Sequence, residues 1–138
     1  MATKLNPYLN FRGTARAAME FYASVFGGEL TLSTFAEAGG MGVDESEQQN
    51  VMHSQLEAGP DLTLMGADVP SSMDLSPNGS ISLSGDDEAQ LRGWWEGLAA
   101  GGSVTVPLEK APWGDWFGDL EDKYGVGWMV NISGAAGD

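Results

Sequence analysis

No cysteine and a single histidine occur in this 138-residue chain, and basic side chains are scarce: six Lys and Arg stand against twenty Asp and Glu, a formal charge of −14. Lack of cysteine excludes disulfides, thiolate ligands and a thiol nucleophile. One imidazole cannot build the usual zinc site without three further ligands. The shortage of cations argues against nucleic acid and anionic membranes as partners, because both are bound through clustered Lys and Arg. No apolar run approaches the roughly eighteen residues of a spanning helix. The first eleven residues carry one lysine and no apolar stretch of signal-peptide type, so a cytoplasmic location is expected.

What remains is the composition of a folded globule, with 42% hydrophobic and 9% aromatic residues. A chain of this size buries roughly two-thirds of its unfolded surface and needs no metal or disulfide to hold its core. The pattern repeats. Asn6–Phe11, the pair Phe21-Tyr22, Gly27-Gly28 and Glu29–Leu32 match Ser80–Gly85, the pair Trp94-Trp95, Gly101-Gly102 and Ser103–Val106 at an offset of 74 residues, with single-residue slips. Each copy reads as an alternating strand, an amphipathic helix, a Gly-Gly stop and another alternating strand.

The helices are expected over about 14–26 and 87–99. Ala18, Phe21, Tyr22 and Val25 form the apolar stripe of the first, and Leu91, Trp94, Trp95 and Leu98 that of the second. Ser84 is a candidate cap for the second helix. Three strands follow each helix, over 30–35, 51–57 and 62–66 in the first copy and 104–108, 116–121 and 126–132 in the second. The Gly-rich, acidic stretch 37–50 reads as a mobile loop, and the Pro- and Ser-containing stretch 68–78 as a linker. The fold class is therefore α+β: two βαβββ modules, about 4–68 and 78–133, in a single domain.

Strand alternation separates two faces. Leu5, Leu9 and Phe11 oppose Asn6, Tyr8 and Asn10; Met52 and Leu56 oppose His53 and Gln55; Trp128, Val130 and Ile132 oppose Met129 and Asn131. One sheet face is thus apolar and suited to the helices. The other is lined by small, polar and Met side chains and is either solvated or the lining of a ligand cup.

The tandem module resembles the vicinal oxygen chelate superfamily, which includes glyoxalase I, extradiol dioxygenases and the bleomycin-resistance protein. Within it the chain is similar to the PhnB-like branch often labelled demethylubiquinone methyltransferase. The resemblance rests on Leu5–Phe11, Ala18–Tyr22, Val25–Leu30, Val51–His53, Ile81–Asp87, Pro112–Gly118 and Asp122–Ile132. It implies a cup-shaped mixed sheet and a homodimer. It also implies that metal-dependent relatives hold a divalent ion at positions corresponding to Asn6, Met65, Ser80 and Met129. An amide, a hydroxyl and two thioethers suit such ions poorly, so no metal or other cofactor is expected. Nor does a Gly-rich loop open a helix after a strand, as nucleotide-type cofactor sites need; the Gly-Gly pairs follow helices.

The expected ligand is a small molecule, cationic or aromatic, contacted by Tyr8, His53, Gln55, Trp113 and Trp116, with Asn6, Ser80 and Met129 deeper in the cup. His53 suits either a general base or a hydrogen-bonded structural role. Trp113 and Trp116 flank Asp115, a set that stacks a planar cation, or else Trp116 or Phe117 plugs the core. Two other readings stay open at this point: a metal-dependent lyase, isomerase or dioxygenase using His53 with carboxylates, and a dimeric scaffold without ligand.

Overall fold

A computed structural model describes residues 5–40, 42–75 and 78–133. The expected module start at residue 4 and linker positions 76–77 lie outside the described residues. The chain divides into two compact units, Met1–Pro77 and Asn78–Asp138.

Unit 1 runs β1 (Tyr8–Phe11), α1 (Ala15–Phe26), β2 (Glu29–Thr34), a 3-10 turn at Glu45–Glu47, β3 (Val51–Glu57) and β4 (Thr63–Asp68). Its four strands form one sheet in the order β1-β4-β3-β2. The first strand inserts parallel beside the last, and the other pairs are antiparallel. Ala15, Ala18, Met19 and Tyr22 bury one stripe of α1 against the sheet face that carries Leu9, Phe11, Leu56 and Leu64. The stripe is rotated from the expected one: Phe21 and Val25 are half-buried, because the sheet meets the helix along 15/18/19/22. Leu5, expected on the apolar face, precedes β1 and is 99% exposed, since no strand partner extends that far.

Unit 2 repeats the plan with β5 (Ser80–Gly85), α2 (Glu88–Ala99), β6 (Ser103–Lys110), β7 (Trp116–Glu121) and β8 (Gly127–Ile132). Its sheet order is β5-β8-β7-β6, again with the first strand parallel to the last. Leu91, Trp95 and Leu98 of α2 cover Leu120, Trp128, Val130 and Ile132. The cap of α2 is Asp87, whose carboxylate accepts from the Gln90 N–H at 3.1 Å. Ser84, the expected cap, is still in β5. A carboxylate there also complements the helix dipole.

One buried aspartate ties each module together. Asp68 ends β4, and its oxygens accept from the backbone N–H of Ala15 (3.0 Å) and of Val51 (2.9 Å), joining the starts of α1 and β3. Asp122 lies in the turn after β7 and accepts from the N–H of Tyr124 and Val126 and from the indole N–H of Trp128. Both carboxylates are held by donors, as buried charge requires.

The Gly-Gly stops recur for a steric reason. A Cβ on Gly28 would sit 2.2 Å from the Glu57 carbonyl oxygen, and one on Gly102 2.3 Å from that of Glu121. Each backbone presses on the end of the strand that pairs with the one it begins.

The described residues of the stretch 37–50, expected as a mobile loop, are laced with hydrogen bonds; position 41 lies outside the described residues. The Gln48 amide donates to the carbonyls of Gly40 and Val43, Asp44 caps the 3-10 turn, and Glu47 accepts from both the N–H and the hydroxyl of Ser71. Its acidic side chains therefore organise the loop. No helix among the described residues is long and apolar enough to cross a membrane.

Candidate functional site

In each unit the helix covers one sheet face and the other is open. On the open face of unit 1, strand register sets Tyr8, Met65, Gln55 and Thr31 in one row across all four strands. Ser33 and His53 pair in the adjacent row. The Tyr8 side chain reaches across β4, so that its phenol oxygen lies 3.3 Å from His53 Nδ1 and the rings are 5.9 Å apart. Partial burial raises the phenol pKa above its ordinary value, which keeps Tyr8 a neutral donor and acceptor near neutrality. The Gln55 amide donates to Glu57 at 2.8 Å, which orients its carbonyl as a hydrogen-bond acceptor. Asn6 is half-buried just before β1, next to Pro7, whose carbonyl accepts from the Met65 N–H.

On the open face of unit 2, Ser82, Met129 and Asp119 form one row and Ser84, Asn131, Phe117 and Glu109 the next. Ser80 pairs with Gly127 at the end of the sheet. Asp115 accepts from the Asn131 amide at 3.0 Å. Trp113, 63% exposed, stands with its ring 6.0 Å from that of Phe117 at 60°. Carboxylates of Asp115, Asp119, Glu121 and Glu109 thus share a face with two aromatic rings, and none of its strand-register positions is Lys or Arg.

The expected contacts belong to both units. Tyr8, His53 and Gln55 come together with Met65 in unit 1, while Trp113, Asp115, Ser80 and Met129 belong to the open face of unit 2. Trp116 does not join them. It shares parity with Gly118 and Leu120 on the helix side, and the Arg92 guanidinium of α2 lies 4.7 Å from its ring centroid. Phe117 and Asn131 take part instead. Alternation along β7 held the signal for Phe117, but two adjacent aromatics left the choice of face open until the helix was in place.

The four positions that the resemblance would make a metal site carry side chains that suit a hard divalent ion poorly. Asn6 and Met65 supply an amide and a thioether in unit 1, Ser80 and Met129 a hydroxyl and a thioether in unit 2. Among the described residues no group of three or more His, Cys, Asp or Glu side chains is placed to hold a metal ion.

Residues 3–131 match the family model described as 3-demethylubiquinone-9 3-methyltransferase. Protein YjdN of Escherichia coli K12 is 30% identical, over 93% of this chain and 94% of its own. Protein PA1353 of Pseudomonas aeruginosa superposes with a TM-score of 0.84 at 31% identity, covering 97% of this chain and 100% of that one. A PhnB protein of Bacillus cereus, described as a putative 3-demethylubiquinone-9 3-methyltransferase, gives 0.71 at 27% identity, over 95% and 100%. The glyoxylase/bleomycin resistance protein/dioxygenase domain of Frankia sp. EAN1pec shares the fold with a TM-score of 0.64 at 14% identity, over 96% and 98%.

Proposed function

The chain belongs to the 3-demethylubiquinone-9 3-methyltransferase family, built on the two βαβββ modules of the glyoxalase/bleomycin-resistance superfamily, and from that premise we propose that it binds a small cationic or aromatic molecule without a divalent metal. The open face of unit 2 carries this reading. An exposed indole beside a phenyl ring gives a planar or cationic group a surface to stack on, and the carboxylates that share this face supply the counter-charge. Asp115, oriented by Asn131, is the carboxylate best placed to pair with the ligand's charge. In unit 1, Tyr8, His53 and Gln55 offer hydrogen bonds to polar groups of a ligand.

A second reading, acid–base chemistry at His53, is favoured by one observation: Tyr8 engages Nδ1, which orients the ring and leaves Nε2 for a ligand proton. The methyltransferase label contributes no residue to either reading. The protein would act in the cytoplasm as a homodimer, whose mass light scattering would report.

Thermal-shift screening of metal-free protein against planar cations tests the binding. A ligand that binds the native state alone raises Tm with the logarithm of one plus its concentration over Kd, and Trp113→Ala should abolish the rise while leaving the unliganded Tm unchanged. Stabilisation only after a divalent ion is added, or ligands indifferent to Trp113→Ala, would overturn the proposal.

A further inference from the structure

We propose that unit 2 carries a second small-molecule site, on its helix side between α2 and β6, and that it takes an apolar α-amino acid. A groove of about 350 Å³ opens there, lined by Arg92, Trp95, Glu96, Val104, Pro107 and Leu108. That volume is within the range of small-ligand sites. Its lining is mixed: Trp95, Val104, Pro107 and Leu108 supply apolar surface, with Val104 exposed at one side and the Trp95 indole, largely buried over Gly118, at the other.

Two charged groups border it, and one is already fixed in place. Arg92 Nε donates to Glu88 at 2.7 Å, and its guanidinium lies over the Trp116 ring. These contacts set the plane of the guanidinium and leave its two terminal nitrogens as donors, the fork that matches a carboxylate. Holding that fork before a ligand arrives removes part of the ordering cost of binding. Glu96 follows one helical turn later and makes no ion pair or hydrogen bond among the described residues.

The charges select the class of ligand. A simple carboxylate would meet Arg92 favourably and be repelled by Glu96, and a simple amine would face the reverse. A zwitterion satisfies both, because residues four apart on a helix are neighbours, about 5–6 Å between Cβ atoms. Its α-carboxylate pairs with Arg92 and its α-ammonium with Glu96, while an aliphatic or aromatic side chain lies against Trp95, Val104, Pro107 and Leu108. The site is separate from the open sheet face and stands independently of the function proposed above.

The test is a titration of ¹⁵N-labelled full-length protein with L-leucine and L-phenylalanine, alongside isovalerate and isoamylamine, which carry one charge each. Saturable amide shifts centred on Val104, Leu108 and the α2 turn from Arg92 to Glu96 are expected for the amino acids. Glu96→Gln alters an exposed side chain and keeps its size; it should weaken L-leucine binding about tenfold or more and leave isovalerate binding as well as or better than before. Arg92→Gln should abolish both. Shifts centred on Trp113 or His53, equal affinity for isovalerate and L-leucine in the unmodified protein, or no saturable shift at any soluble concentration would overturn the proposal.

Discussion

Replacing Asp122 with alanine removes one acceptor from three donors at once. The carboxylate, 4% exposed, accepts from the Tyr124 N–H at 2.8 Å, the Val126 N–H at 3.1 Å and the Trp128 indole at 2.8 Å. The Tyr124 N–H is at the rim of the turn, where water can replace the lost oxygen. The other two donors are buried, and a buried donor left without a partner costs about 1–3 kcal/mol. With the lost ordering of the Asp122–Gly125 turn, the change should therefore destabilise unit 2 by about 3–6 kcal/mol, a large share of the roughly 5–15 kcal/mol that holds a domain together. Urea denaturation followed by Trp fluorescence reads this as a fall in midpoint at unchanged slope. Trp128→Phe removes one of the donors from the other side. The double variant should therefore be less unstable than the sum of the singles by about 1 kcal/mol or more. A loss below about 1 kcal/mol for Asp122→Ala, or strict additivity in the cycle, would refute the account of this aspartate as the polar anchor of the module.

Gly102→Ala should destabilise by about 2 kcal/mol or more, although its φ is not left-handed, because the added Cβ would lie 2.3 Å from the Glu121 carbonyl oxygen; thermal unfolding measures it. Burial raises the Tyr8 pKa, so the unfolded chain releases that proton first: the contribution is intact below the ordinary value of 10.0 and is lost as pH rises through the higher folded value. Stability should consequently fall less steeply above pH 10 in Tyr8→Phe than in the unmodified protein, as paired urea titrations would show. Elemental analysis of protein purified without chelators and incubated with Zn, Mn, Ni, Fe and Co ions should find well below one retained ion per chain; about one per chain, lost on His53→Ala, would reverse the judgement on the donor set. Glu47→Ala should release Ser71 from its two hydrogen bonds and speed proteolysis near residues 70–73 with little change in global stability.

The tandem plan, the helix spans to within a residue and two strands, Val51–Glu57 and Trp116–Glu121, to the residue were legible in the chain. Local chemistry suffices for these. Apolar residues recur at helical spacing, alternation of period two marks the strands, and Gly-Gly pairs end both helices. The donor types at Asn6, Met65, Ser80 and Met129 are a matter of residue identity, read from the chain alone. Pairing across the sheet is non-local, and alternation does not encode it. The Tyr8–His53 contact joins residues 45 apart in the chain and exists because β1 inserts parallel beside β4. A bulge after Ser33 turns Val51 inward with Ser54 and Leu56, which no strict alternation predicts. Trp116 faces the helix since α2 brings Arg92 over it, and the same approach forms the groove along β6. Sequence determined the modules and the chemistry they carry; only the tertiary structure decided which side chains meet, because a sheet's partners are chosen by packing and hydrogen bonding between distant segments.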